Sequence, residues 1–545
     1  MKKKSIFGFM AAVIFAAGAI SSCKSSEINT TPVPTSGSQN SAVSSSLIPA
    51  NEYISGIFLS EGSSDAQTAA PIPHGGEIAL ISSSDTEDDV SISFTEETTS
   101  SPSVTKTEET TSTAAVVTTA AASELPQTTI SATMTEAQNV SSAQTTVPAQ
   151  TTASEASTAA ATLTQAPAPV TAYTGGSYGR NSYQALNYSR VKAVWISYIE
   201  MNAYLSGKSE QEFRNAFGKM LDNCSSLGLN TVFVHVRAFG DSFYFSGLFP
   251  FTSYLGGKTS YDPLKIMVDE AHSRNISFHA WINPMRLCSD QMIMNISSAY
   301  PVGKWYNGAE KGKYIVKVNG TWYLNPGYEA VRTLISDNVR EIVSGYNVDG
   351  IHIDDYFYPT TDASFDSDAF SASGYQGLSA FRTASCNAMV KGMYDAVHEC
   401  GTAVFGAAPQ GNNNNNLYVL YADTAAWCKG GYVDYFAPQI YYGFENTAVP
   451  FKKNVDEWLG IVKGTKTKLY PGLSLYKIGK EDTWAGAGKT EWQNTTTMIK
   501  RQIEYAEENG CAGVALYSYN YLFNDTYLTS TVKSEIENFK PLLTK

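Results

Sequence analysis

From residue 191 onward the chain repeats one pattern: a short apolar run, a polar end, then an amphipathic stretch. The runs are VKAVWIS (191–197), TVFVHVR (231–237), SFHAWIN (277–283), DGIHIDD (349–355), AVFGAAP (403–409), YFAPQIYY (435–442), LYPGLSLY (469–476) and GVALYSYN (513–520). The stretches between them carry helical spacing. In EFRNAFGKMLDNCSSLG, Phe213, Phe217, Met220 and Leu221 share one face, and Gly228 is a stop signal. DPLKIMVDEAHSRN opens with Asp262 as N-cap and Pro263 in the first turn. NPGYEAVRTLISDNVREIVSGY predicts a further helix with Gly345 near its end. Strands alternating with helices imply parallel βαβ units, and eight of them imply a closed (β/α)8 TIM barrel over residues 186–545. This unit is longer than the roughly 250 residues of a typical barrel. The surplus falls mainly after strands two, three and four, at the C-terminal mouth where barrel enzymes hold their chemistry. A doubly wound open sheet uses the same units, but no glycine-rich phosphate turn follows the first strand.

Strand alternation sorts the residues further. Val232, Val234 and Val236 fall on one face, suited to packing under helices, with Phe233, His235 and Arg237 on the other. His279, Trp281 and Asn283 form the matching inward set of strand three, and Gly350, His352 and Asp354 that of strand four. Arg237, Asn283 and Asp354 are expected at the top of the barrel, with the histidines one layer deeper. Three inward histidines raise the possibility of a metal. No HExxH-type motif accompanies them and Arg237 brings positive charge, so neither a metal nor any other cofactor is expected. Aromatic residues gather at the same mouth, among them Trp281, Trp305, Trp322, Tyr323, Tyr356, Tyr358, Tyr441 and Tyr476. Flat rings beside polar groups suit the C–H faces and hydroxyls of a glycan. About half of the rings are expected simply to fill loop cores.

The N-terminal third reads differently. Residues 1–23 combine three lysines, an apolar stretch and small residues before Cys23, which predicts a secretory signal. Ile20-Ser21-Ser22-Cys23 resembles a bacterial lipobox, which implies lipidation of Cys23 and an exported, membrane-anchored protein. Residues 24–185 are dominated by Ser, Thr, Ala, Pro and Val without periodicity, and read as a disordered linker. Brief apolar runs between residues 46 and 95 leave a small domain there as the alternative. Between 24 and 180 there are 16 acidic and 3 basic residues, so this segment alone accounts for the net charge of −13. The remainder is nearly balanced, and no basic patch argues for nucleic acid. Its six cysteines form no CxxC pair, which argues against a zinc site. A monomer is expected.

HVRAFGDSFYFSGLFPFTSYLGGK, YDPLKIMVDEAHSRNISFHAWINPMR, WYLNPGYEAVR, DGIHIDDYFYP and VDYFAPQIYY occur in the order found in glycosyl-hydrolase-like family 10, which the chain resembles over about residues 188–520. The resemblance implies an exported bacterial TIM-barrel glycosidase acting on a cell-envelope glycan, for some members peptidoglycan strands stripped of peptides. It falls on Arg237, Asp241, His279, Asn283, Arg286, Asp349, His352, Asp354, Asp355, Tyr356, Gln439 and Tyr441. The last tyrosine of APQIYY stands where many members have tryptophan.

Asp354 and Asp355 stand side by side at the end of an apolar strand, against both desolvation and mutual repulsion. Two-carboxylate glycosidases need acids roughly 5–10 Å apart across the scissile bond. Adjacent strand residues point to opposite faces, so that route calls for a distant partner such as Asp241 or Glu445. Strand five ends in AAPQG and offers no acid. Substrate assistance, in which a sugar's 2-acetamido oxygen attacks its own anomeric carbon, needs two neighbouring acids. One orients the acetamide, here Asp354, and the other protonates the leaving oxygen, here Asp355. Barrel hexosaminidases carry a similar pair, and the envelope sugars of peptidoglycan carry the acetamide. The alternatives are Asp355 as a loop cap, a catalytically inactive carbohydrate-binding or scaffold lipoprotein on the same barrel, and a metal-dependent deacetylase or amidase.

Overall fold

The computed structural model of the protein describes residues 173–545. The signal segment 1–23 with Cys23, and residues 24–172 of the expected linker, lie outside the described residues, as do the apolar runs between 46 and 95.

Each of the eight apolar runs contains a strand: β1 (Val191–Ile196), β2 (Thr231–Arg237), β3 (Ser277–Ile282), β4 (Gly350–Ile353), β5 (Val404–Ala407), β6 (Tyr435–Phe436), β7 in two pieces (Lys468–Leu469 and Gly472–Ser474) and β8 (Gly513–Tyr517). β1 to β6 pair in sequence, all parallel, and β1 also pairs with β8. The first piece of β7 pairs with β6 and the second with β8, which closes the ring and excludes the open sheet. Pro471 separates the two pieces because it has no N–H to give the ladder. Tyr470 and Gly472 donate to Phe436 and Pro438 carbonyls at 2.8 Å, and Ala515 donates to the Pro471 carbonyl at 3.1 Å. The strand thus keeps both neighbours across the proline, bonding the β6 side through Tyr470 and Gly472 and the β8 side through the Leu469 and Pro471 carbonyls.

The hydrophobic residues divide as alternation requires. Val232, Val234 and Val236 join the shell between barrel and helices. Trp195, Phe233, Trp281, Tyr435 and Tyr470 fill the interior. The helices start and stop where the sequence signals them: Glu210–Ser226 buries Phe213, Phe217, Met220 and Leu221. Gly228, just beyond its end, has φ +80°. Asp262 caps Pro263–His272 by accepting from Leu264 and Lys265 amides, and a further helix runs over Glu329–Gly345. After β3, the strands Arg286–Ser289, Ile315–Val318 and Thr321–Leu324 form a small antiparallel sheet at the mouth.

One boundary is corrected. Residues 173–185, which composition groups with the linker, lie along the barrel wall as an extended strap. Tyr173 OH and Gly176 N donate to Asp337 Oδ2 at 2.9 and 2.6 Å. Arg180 donates to the carbonyls of His398, Glu399 and Gly401, and Asn181 Nδ2 to those of Val343 and Tyr346. These are carbonyls at helix C-termini, which have no intrahelical donor. Tyr183 OH and Leu186 N then donate to Asp349 Oδ1 at 2.8 and 2.6 Å, beside the start of β4. Average composition cannot register such specific partners.

Candidate active site

The barrel interior is built in layers. At its floor a directional hydrogen-bond chain runs across four strands. Trp195 Nε1–H donates to His352 Nε2 at 3.0 Å, so a neutral His352 carries its hydrogen on Nδ1. Nδ1–H then donates to Tyr435 OH at 2.9 Å, and the Tyr435 hydroxyl donates to His279 Nδ1 at 2.8 Å. His279 Nε2 completes the chain at Asn187 Oδ1, 3.3 Å away. Burial holds both histidines neutral, His279 down to about 4 and His352 well below its ordinary value. The glycines of neighbouring strands make room: a Cβ on Gly350 would meet the His279 ring, and one on Gly406 the Tyr435 ring. His279 and His352 therefore brace the floor and do not line the cleft. Among the described residues no group of three His, Cys, Asp or Glu could hold a metal.

Above this floor a cleft opens at the C-terminal mouth. Of the residues singled out from sequence, Trp281, Asn283, Arg286, Asp354, Asp355, Tyr356, Gln439, Tyr441 and Tyr476 line it. His235 lines it too, one layer higher than expected, stacked flat on Trp281. Its Nδ1 accepts from Tyr198 N at 3.1 Å, which leaves Nε2–H beside Asn283. The Arg286 guanidinium lies over the rings of Phe239 and Tyr356, 4.5 and 4.6 Å from their centroids. Tyr441, Tyr476 and Tyr517 form an aromatic wall with centroids 5.8–6.3 Å apart, Tyr476 standing edge-on to the other two.

Both acids face this cleft. β4 ends at Ile353, so Asp354 and Asp355 lie in a loop where strand alternation no longer applies. The expectation that they point to opposite faces is corrected for that reason. Trp281 Nε1–H donates to Asp354 Oδ2 at 3.1 Å, and Tyr356 N–H to Oδ1 at 3.4 Å. Gln439 Nε2 donates to Asp355 Oδ1 at 3.1 Å and to the Ala408 carbonyl at 3.2 Å. Burial raises the proton affinity of both carboxyls. Asp354 is pushed well above the carboxylate range, by burial first and the charge of Asp355 second, with the Arg286 charge opposing. Asp355 is raised by burial, against the Gln439 hydrogen bond. Two like-charged neighbours in a buried site favour a state with one shared proton.

Other expected members lie elsewhere. Arg237 is flipped out of the interior by a bulge in β2, where His235 pairs with Trp281 but Arg237 with Ile282. It is fully buried, donating to Asn338 Oδ1 at 2.8 Å and to the Phe239 and Pro284 carbonyls. Asp241 is buried beside Arg237, pushed up to about 6 chiefly by burial, and is outside the cleft lining. Glu445 is exposed and also outside it. Tyr358 is buried between Phe365, Tyr421 and Arg382. Trp305 and Trp322 serve loop cores, against Tyr314 and Tyr306. Asp349 sits at the start of β4, accepting from the strap. Tyr517, one of the aromatics expected at the mouth, lines the cleft as well; Trp195, Ser197 and Tyr198 also line it and were not singled out, although the first two follow from alternation along VKAVWIS.

The sequence profile of the Glycosyl hydrolase-like 10 family matches residues 190–486. "Glycosyl hydrolase YngK" of Bacillus subtilis (strain 168) is 30% identical over 343 residues, 58% of this chain and 66% of that protein. "Glycosyl hydrolase DigH" of Escherichia coli (strain K12) is 30% identical over 338 residues, 56% of this chain and 74% of that protein. Among solved structures, the glycoside hydrolase domain of PgaB (BpsB) from Bordetella bronchiseptica aligns with a TM-score of 0.42 at 10% identity, covering 64% of this chain and 99% of that one.

Proposed function

The chain belongs to the glycosyl hydrolase-like 10 family, and from that premise we propose that it hydrolyses a glycan bearing 2-acetamido sugars, of the peptidoglycan type, by substrate assistance. The observation that carries the reading is the contrast between the two carboxyls in one cleft. Asp354 has an obligate donor at each oxygen, the Trp281 indole and the Tyr356 amide, which suits a carboxylate. Asp355 accepts from a primary amide, that of Gln439, which can donate to a carboxylate or turn and accept from an acid. When Asp355 holds the shared proton, the second of the two influences that raise Asp354 is gone, and the Tyr356 and Trp281 donors and the Arg286 charge oppose the first, which is burial. Asp354 then stays ionised to orient the acetamide and to stabilise positive charge at the anomeric carbon. Asp355 protonates the leaving oxygen and afterwards takes a proton from the attacking water. The aromatic wall and the Arg286, His235 and Asn283 polar groups supply faces and hydrogen bonds for the sugar. Lipidation at Cys23, with a tether between membrane and barrel, is part of the same proposal and would set the enzyme in the cell envelope.

Product analysis by mass spectrometry tests it. Purified chain is incubated with peptidoglycan glycan strands, chitin oligomers and plant glycans lacking acetamide. Cleavage confined to acetamido sugars and lost in Asp354→Asn and Asp355→Asn is the expected result. Binding without products in the wild type would favour the carbohydrate-binding scaffold. Cleavage of sugars that lack the acetamide would contradict substrate assistance.

A further inference from the structure

Arg286 begins the first strand of the small antiparallel sheet at the mouth, in register with Tyr323, and its side chain lines the cleft. Only 4% of the residue is exposed. Other arginines of the domain have their charge or their N–H groups met by the protein. Arg190, Arg214, Arg274, Arg340, Arg382 and Arg501 each pair with a carboxylate. The buried Arg237 donates to one side-chain amide and two carbonyls. Among the described residues no carboxylate pairs with Arg286. The rings of Phe239 and Tyr356 attract its charge, but a ring face is a poor acceptor for its N–H groups. Its Nε is buried without a hydrogen-bond partner. The acids of the cleft are engaged by other donors, Asp354 by Trp281 and Tyr356, and Asp355 by Gln439. Two more atoms of cleft-lining residues, His235 Nε2 and Asn283 Oδ1, are likewise buried without partners. A buried charge with no counter-charge is costly, which points to an anion that arrives with the ligand.

We propose that Arg286 is a specificity-determining residue that binds a carboxylate carried by the glycan, so that the cleft selects an acidic sugar. The proposal rests on the cleft being a glycan site and names the substituent it recognises. A planar carboxylate meets the edge of a guanidinium through two parallel N–H···O bonds. A phosphate dianion would set two negative charges near the ionised member of the Asp354–Asp355 pair, where a carboxylate sets one. Two kinds of sugar carry such a group beside the acetamide: a 2-acetamido sugar with a 3-O-lactyl ether, and a uronic acid next to an acetamido sugar. Converting either carboxyl to a carboxamide keeps its size and removes its charge.

Calorimetric binding to the full chain tests the proposal. The chain carries Asp355→Asn, which slows turnover and leaves one negative charge on the pair. The ligands are an acetamido oligomer with free 3-O-lactyl carboxyls, an alternating acetamido–uronic acid oligomer, and the carboxamide form of each. At least one acid is expected to bind about tenfold or more tighter than its carboxamide. Preference for the lactyl acid places the carboxylate on the acetamido ring, and preference for the uronic acid places it on the neighbouring ring. In Arg286→Met and Arg286→Gln the acid-to-amide ratio should fall to about one or below, whatever affinity each variant loses for both forms. Arg286→Lys should keep part of the preference. Equal binding of acid and carboxamide in both pairs, or a ratio that survives in the Met and Gln variants, would overturn the proposal. Binding needs no turnover, so an Arg286-dependent preference without any glycan cleavage would refute the proposed function and uphold the carboxylate site. Cleavage of acetamido sugars with no such preference would do the reverse.

Discussion

Trp281 donates its indole N–H to Asp354 across the mouth of the barrel, 3.1 Å from Oδ2, while its ring lies flat against His235. One side chain therefore forms part of the cleft wall and favours the ionised form of an acid that burial pushes the other way. Trp281→Phe keeps the ring and removes the donor. The ionised form of Asp354 loses a hydrogen bond, so its proton affinity rises further. The acidic limb of the pH–rate profile, which reports ionised Asp354, should move up by about one pH unit. Stability should fall by only about 1 kcal/mol. A downward-moving acidic limb would contradict the carboxylate role of Asp354.

The raised carboxyls also bear on stability. A group whose folded proton affinity lies above its unfolded value binds a proton that the unfolded chain has released. Stability is therefore fully present below about pH 4 and is lost as pH rises through the folded value. Asp355→Asn removes that loss, and its amide neighbour Gln439 can turn to meet the new group. Its melting temperature relative to wild type should rise between pH 4 and pH 7. Asp354→Asn should gain less, because its new NH2 must face the Trp281 or Tyr356 donor. Thermal melts of both variants across this range check the difference.

Asp349 is fully buried and accepts from Tyr183 OH, Leu186 N, Phe278 N and His272 Nε2 at 2.6–2.8 Å. It joins the strap to β3 and β4. Asp349→Ala leaves these donors unsatisfied and should cost about 3 kcal/mol or more. A chain begun at residue 186 loses the Tyr183 contact and the Arg180 and Asn181 caps, and should melt below one begun at 173. Equal melting temperatures would show that the strap adds nothing to the domain.

Cys23→Ala should release the protein from membranes into the soluble fraction or medium. Membrane retention equal to wild type would remove the lipid anchor from the account.

The eight strands and the barrel were legible because each strand's apolar run is bounded by polar residues and separated from the next by a helical pattern. The inward faces of β3 and β4 were legible from strict alternation. Arg237 was not, because a single bulge at Val236 reverses the parity of everything after it, and nothing local in TVFVHVR marks a bulge. The orientation of Asp355 escaped for the related reason that β4 stops at Ile353, two residues before it. Tyr358 shares an aromatic cluster with Tyr356 in sequence, yet Arg382 and Phe365, from elements further along the chain, draw it into a separate core. Gln410 was visible only as the absence of an acid. Its backbone and side chain are held by Asn416 and Asn415, contacts that no spacing rule encodes.

Leaving-group dependence tests the division of labour between Asp354 and Asp355 most directly. Wild type, Asp354→Asn and Asp355→Asn are assayed on a 2-acetamido glycoside with a sugar leaving group and on one with an activated aryl leaving group. Both variants should lose on the order of 100-fold or more on the first substrate. An aryl leaving group needs little protonation, so the second substrate should restore much of the rate to Asp355→Asn and little to Asp354→Asn. Full activity of Asp355→Asn on the sugar leaving group, or a trapped covalent glycosyl–enzyme adduct, would contradict the assignment.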